Sequence, residues 1–243
     1  MPTVSAMNQN NIHILSTRPL GDEQVKDARD QGILIDVLSF IDTEPILSVE
    51  VQQEIEQALL LSTVVVFTSM NAVEAVATFI MDEQPDWQIY CMGKTTHDLV
   101  KKYFGEESIA GTASNATELA ESIIVDGITE EVIFFCGDQR RDELPTQLIS
   151  HDIDVNEIVV YHTILTPHKV DRKYHGILFF SPSAVESFFL KNKITGDTIL
   201  FAIGKTTAAA IKKHSSNTII ISDEPGKENL MEKVFNYFVN NER

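Results

Sequence analysis

The chain is predicted to be an α/β protein built from two similar doubly wound parallel-sheet domains, about five strands each. A two-stranded extended linker joins them, and the N-terminal piece is completed by the C-terminal third. Three observations predict this. Strand-like apolar runs alternate with helix-period runs along most of the 243 residues. Segments also recur. Phe67-Thr68-Ser69-Met70-Asn71-Ala72-Val73-Glu74 reappears as Phe179-Phe180-Ser181-Pro182-Ser183-Ala184-Val185-Glu186, an offset of 112. Gly93-Lys94-Thr95-Thr96 reappears as Gly204-Lys205-Thr206-Thr207, an offset of 111 that Leu119 and Leu230 share. Recurrence at nearly one spacing marks a duplicated unit. Finally, two extended segments far apart in sequence each stop at a proline, as the two crossings of an inter-domain linker would.

The elements follow in order. Ile12 to Ser16 reads as a strand, Gly21 to Gln31 as a polar helix, and Ile33 to Val37 as the next strand. Leu38 to Pro45 is extended and lacks a helical period. Ser48 is a fitting N-cap for a helix carrying Val51, Ile55, Ala58 and Leu59. Val64 to Phe67 is a continuous β-branched and aromatic run, the pattern of a strand covered on both faces. A helix carrying Ala72, Val73, Val76, Phe79 and Ile80 comes next. Further strands are read at Gln88 to Met92, Ser108 to Ala110, Val132 to Cys136 and Glu157 to Tyr161. His162 to His168 is the second extended crossing. Strands at Ile177 to Phe180, Ile199 to Ile203 and Thr218 to Ile221 lead to a closing amphipathic helix, Glu228 to Phe238. The expected domains are residues 1–38 with 168–243, and residues 46–160, with crossings at 39–45 and 161–167.

Composition narrows the function. Thirty-six Asp and Glu against 19 Lys and Arg give a net charge of −17, which argues against nucleic acid and against anionic membranes. A cleft lined by helix N-termini can still hold anions locally. Cys91 and Cys136 each end an apolar strand and read as buried thiols of a reducing compartment. Residues 1–11 lack the regions of a signal peptide, and the run from Ala58 to Phe67 is too short to span a bilayer. A cytoplasmic protein follows from these readings, and a monomer is expected.

Ligands of open α/β sheets bind at the carboxyl ends of strands, and both duplicated motifs lie there. Asn71 with Glu74 and Ser183 with Glu186 have capping-box spacing. Beside that helix-starting role, the turn amides can hold carboxylates, and matching turns in two units imply a ligand held between them. The Gly-Lys-Thr-Thr turns are not P-loops, because Gln88 and Ile199 stand where the first glycine is needed. Their threonines are read as an N-cap with a spare hydroxyl. Arg18 ends the first strand and can clamp a carboxylate or form a surface ion pair. The charged loop Gly137 to Glu143 offers the same role unless its charges pair internally. Tyr161 ends a strand where the second crossing begins, a place for a general acid. No His shows metal-site spacing, and no nucleophile elbow is present.

These motifs resemble the uroporphyrinogen-III synthase family. Val65-Val66-Phe67-Thr68-Ser69-Met70-Asn71-Ala72-Val73 is similar to its "FTS-x-NAV" signature. Phe180 to Val185, Ala202 to Ala208, the linker motif Val159 to Thr163 and the opening strand Ile14 to Pro19 match in the family's order. The resemblance implies two α/β domains on a two-stranded linker. It also implies cyclisation of hydroxymethylbilane to uroporphyrinogen III, with loss of water, inversion of ring D, and neither cofactor nor metal. The implied route runs through an azafulvene and a spiro intermediate, on a substrate with many carboxylates. Carried onto this chain, Tyr161 assists departure of the hydroxyl. Arg18, Thr68, Ser69, Asn71, Ser181, Pro182, Ser183, Gly204, Thr206 and Thr207 line the substrate. The competing expectation is a non-catalytic two-domain protein that binds a small anion.

Overall fold

The computed structural model describes residues 11–80, 84–194, 196–224 and 226–240. In chain order the elements are β1 (Ile12–Ser16), α1 (Asp22–Asp30), β2 (Ile33–Val37), β3 (Ile41–Pro45), α2 (Val49–Leu59), β4 (Thr63–Phe67) and α3 (Met70–Ala77). Then come β5 (Trp87–Met92), α4 (Lys94–Phe104), β6 (Ile109–Ala113), α5 (Ala116–Asp126), β7 (Glu131–Gly137), α6 (Glu143–Ile149) and β8 (Asp154–Leu165). The chain closes with β9 (Gly176–Phe179), α7 (Pro182–Lys191), β10 (Ile199–Ala202), α8 (Lys205–Lys212), β11 (Ile219–Ile221) and α9 (Lys227–Phe235). It divides into a first unit, Met1–Asp42 with Ile164–Arg243, and a second, Thr43–Thr163.

The first unit holds a sheet ordered β11-β10-β9-β1-β2, with parallel pairings throughout the described residues. The connection reverses direction between β1 and β9, so that pair is the unit's topological switch point. The second unit's sheet is ordered β3-β8-β7-β4-β5-β6, and its switch point lies between β4 and β7. It has six strands rather than about five because the first extended segment pairs as β3 beside β8. An extended chain leaves its N–H and C=O groups unmatched unless another strand takes them. β8 is also longer than the predicted strand and absorbs most of the second crossing.

Alternation along each strand sorts side chains to the two faces. Val65 and Phe67 join a core with Ile55, Val73, Trp87 and Phe104, while Val64 and Val66 join another with Leu119, Ile123 and Leu148. In the first unit Leu15 packs with Val185, Phe188 and Ile211, and Ile14 with Ala28, Leu230 and Val234. Both sheets are thus covered on both faces, which is why their strands read as continuous apolar runs. Cys91 and Cys136 are buried free thiols, and burial pushes each up to about 11. No helix among the described residues is long and apolar enough to cross a membrane.

Candidate functional site

In the second unit the turn after β4 starts α3. Ser69 is its N-cap, and its Oγ accepts the Asn71 N–H at 3.2 Å. The first unit repeats this: Ser181 caps α7 by accepting the Ala184 N–H at 3.1 Å, and Pro182 follows at N1, where a missing N–H costs nothing. The capping-box reading of Asn71 and Ser183 is therefore corrected. Both sit one turn position inside the helix, because the serine two residues earlier has the extended backbone a cap requires. Thr68 is half-buried in the same turn.

Tyr161 reaches this turn from β8. Its hydroxyl donates to Ser69 Oγ at 3.0 Å. Burial holds the phenol above the ordinary tyrosine range, and hydrogen bonding to Ser69 and Asn71 opposes that shift without cancelling it. The group therefore stays protonated through neutral pH. The adjoining charged loop is engaged in ion pairs: Arg140 with Asp142 of the loop and with Glu157 of β8, and Arg141 with Glu143 at 3.9 Å. Of its two readings, pairing within the loop holds in part, with β8 supplying a further partner.

The first unit's switch point is built by Thr17 and Arg18. The N–H and Oγ1 of Thr17 both donate to the Leu178 carbonyl, at 3.1 and 2.7 Å, which fixes the end of β1 against β9. Arg18 then emerges exposed, and no acidic side chain among the described residues bonds to it. A residue missed from the sequence lies close by. Lys227 opens α9, and its ammonium is pushed below the usual lysine range by burial and then by the Arg18 charge, with Glu228 opposing. Gln24 of α1 donates to Glu228 at 3.0 Å and ties the two helix starts together. The signal was there to read: Gly226-Lys227 is a third Gly-Lys helix start after Gly93-Lys94 and Gly204-Lys205. A cation at a helix N-terminus opposes the macrodipole, and such local conflict marks functional positions.

The threonine pair divides. Thr206 is exposed, whereas Thr207 is 0% exposed and its Oγ1 has no hydrogen-bond partner among the described residues. Neither caps α8. The N-cap is Gly204, in extended backbone and without a side-chain bond, so the N-cap reading of the pair is corrected. A buried hydroxyl without a partner is costly and calls for an explanation. A separate cavity of about 170 Å³ opens at the amino-terminal end of the first sheet, by Lys169, Arg172, Tyr174 and Lys193. Arg172 there bonds to Asp36 at 2.9 Å and Lys169 to the Lys191 carbonyl at 3.4 Å, so this seam serves packing.

Comparison with known proteins follows the same line. The family described as "Uroporphyrinogen-III synthase HemD" matches residues 22–232. Uroporphyrinogen-III synthase of Saccharomyces cerevisiae is 24% identical over 205 residues, covering 70% of this chain and 74% of its own length. The crystal structure of the Helicobacter pylori uroporphyrinogen-III synthetase superposes with a TM-score of 0.63 at 16% identity, over 93% of this chain and 99% of that one. A mutant of the Thermus thermophilus synthase superposes with a TM-score of 0.58 at 14% identity, over 95% and 99%.

Proposed function

The chain belongs to the uroporphyrinogen-III synthase family, and we propose that it closes hydroxymethylbilane to uroporphyrinogen III with loss of water and inversion of ring D. The carbon–oxygen bond of the terminal hydroxymethyl group breaks, and the oxygen leaves as water with a proton from Tyr161. A pyrrole N–H proton is given up as the azafulvene forms and restores the phenol. The observation that carries the reading is a largely buried tyrosine, neutral at working pH as phenols are, whose hydroxyl is aimed at the cap of a switch-point helix. A neutral phenol is the form that donates a proton.

In this proposal Arg18 and Lys227 hold substrate carboxylates in the first unit, aided by the turn at Ser181, Pro182 and Ser183. Gly204 and Thr206 line the substrate at the start of α8, and the buried Thr207 hydroxyl joins them only once it is uncovered. In the second unit the turn at Thr68, Ser69 and Asn71 plays that part. Charge distribution supports the division of roles. The first unit has 14 Lys and Arg against 14 Asp and Glu, and the second has 5 against 22, so the −17 falls wholly in the second. The second unit's cations are also engaged: Lys94 pairs with Asp98 at 2.8 Å, Lys101 with Glu106, and Lys102 bonds to the Tyr103 hydroxyl at 3.1 Å. The reading includes a monomeric cytoplasmic enzyme with no nucleic-acid partner; sedimentation at working concentration checks the monomer.

The test supplies freshly generated hydroxymethylbilane and separates the oxidised uroporphyrin isomers. Isomer III is expected in excess. Tyr161→Phe is expected to lower kcat about 100-fold, the low end for a general acid, without abolishing turnover. Isomer I alone from folded wild-type protein overturns the reading in favour of a non-catalytic anion binder.

A further inference from the structure

The direction in which Tyr161 points is not what strand alternation gives. Along β8, Ile158 packs into the core that contains Phe67 and Val73, and Val159 turns to the opposite face. Val160 returns to the first core, so strict alternation would send Tyr161 away from it. Tyr161 instead packs against that same core. The reason is a register shift in the pairing with β7: Cys136 lies opposite Val159, but Gly137 lies opposite Tyr161. Two residues of β8 thus advance against one of β7, the mark of a β-bulge, a device that re-aims a side chain. Val160 has its own use there, since its carbonyl accepts the Ile46 N–H at 2.9 Å.

The re-aimed ring needs somewhere to lie, and it lies over Gly137. A Cβ on Gly137 would stand 2.3 Å from Tyr161 Cζ, 2.5 Å from Cε2 and 2.7 Å from the hydroxyl oxygen. The backbone around the ring is held on both sides. The Asp138 N–H donates to the Tyr161 carbonyl at 3.1 Å, and the Asp138 carboxylate accepts the Thr163 N–H at 2.9 Å. The ring can therefore yield to a new methyl group only by swinging its hydroxyl away from Ser69.

We propose that Gly137 is a positioning residue for the reaction: its missing side chain is the seat that lets the bulged strand aim the Tyr161 hydroxyl at Ser69 and the substrate. The proposal rests on the reading of Tyr161 as proton donor. The second unit contains its own control. Gly111 lies opposite Tyr90 beside another register shift, and a Cβ there would stand 2.7 Å from the Tyr90 ring. Tyr90 is buried, however, and its hydroxyl bonds to Asp126 at 2.5 Å. The same pairing thus serves packing at Tyr90 and aim at Tyr161.

The experiment compares Gly137→Ala, Tyr161→Phe, the double variant and Gly111→Ala, using kcat and KM for isomer III, melting temperature, and NMR of chains labelled at tyrosine Cζ. Five tyrosines make the spectrum assignable, with Tyr161→Phe identifying the resonance. Gly137→Ala is expected to lower kcat at least about 10-fold, part of the roughly 100-fold that loss of a general acid costs at the low end, with a smaller change in KM. It should move the Tyr161 resonance, and the double variant should be no slower than Tyr161→Phe. Gly111→Ala should lower the melting temperature and leave kcat unchanged. Wild-type kcat and an unmoved resonance in Gly137→Ala, beside an impaired Tyr161→Phe, overturn the proposal and leave Tyr161 as donor. Full activity of Tyr161→Phe sinks the donor reading instead. The resonance shift then still decides whether Gly137 seats the ring. If Gly137→Ala fails to fold, the same substitution in a Tyr161→Ala background should fold. Continued misfolding there overturns the seat, because no ring remains to collide.

Discussion

Thr207 shows how a single residue can be legible in the sequence and still be misassigned. Duplication singled out the Gly-Lys-Thr-Thr turn, but the cap is Gly204, and Thr207 is a buried hydroxyl with no partner among the described residues. A hydroxyl left unsatisfied costs about 1–3 kcal/mol, so a group retained for substrate has a measurable signature. Thr207→Val keeps the shape and removes the orphan. It is expected to melt about 2–4 °C higher, the shift that about 1 kcal/mol gives a chain of this size, while isomer III formation falls. A lower melting temperature would mean that the hydroxyl has a structural partner. Ser187 carries the matching control: its Oγ is also buried without a partner, within α7. Ser187→Ala should raise stability and spare turnover.

At the scale of elements, three helices begin with Gly-Lys, and only two of them recur at the repeat spacing. Lys227 escaped notice because its turn has no threonine pair and no copy at the repeat spacing. What sets it apart is the nearby charge of Arg18, which is distant in sequence. A lysine at the first position of α9 works against the helix dipole, so Lys227→Glu should stabilise the helix by about 0.3–1 kcal/mol. The same change places a carboxylate where the proposal places substrate carboxylate. KM should rise about tenfold, equivalent to about 1.4 kcal/mol of lost binding. Thermal melting with steady-state kinetics checks the pair. Stability and KM moving the same way as in Lys227→Met, with no added penalty from the negative charge, would remove Lys227 from substrate binding.

The whole molecule has two chemically unlike halves. The second unit bears the entire −17, and like charges repel within the compact state. The single tryptophan, Trp87, sits in that unit's core, donating from its indole N–H to the Ala58 carbonyl at 3.0 Å. Raising salt from about 0.01 M to about 0.15 M shortens the screening length from about 30 Å to about 8 Å. The denaturation midpoint read by Trp87 fluorescence should therefore rise, and no change would mean the repulsion is already compensated. A second prediction concerns alkali. Burial raises both thiols from 9.0 to about 11, so the folded state keeps protons that the unfolded chain has released above pH 9. The unfolded state then binds fewer protons, and stability falls as pH rises. The contribution is fully present below about pH 9 and is lost between about pH 9 and 11, by up to about 3 kcal/mol per thiol. Replacing both cysteines with alanine should flatten that part of the profile.

What the sequence by itself determined is whatever depends on local pattern. Strands buried on two faces show as unbroken apolar runs, and a duplicated unit shows as a fixed offset. Strand-end turns show as the repeated Phe-Thr-Ser and Gly-Lys-Thr motifs. Those signals reached the α/β class and the strand-end turns. Tertiary structure alone decided where the candidate side chains point. β8 alternates in sequence, and nothing in Val159-Val160-Tyr161 announces that Val160 is passed over in the pairing. The bulge exists because Gly137 of another strand accepts the ring and Asp138 pins the chain beside it. The pairing of Arg18 with Lys227 was likewise set by the packing of α1 beside α9. Local propensity acts over a few bonds, whereas the aim of a side chain and the field around a charge are set by neighbours more than twenty to two hundred residues away in the chain.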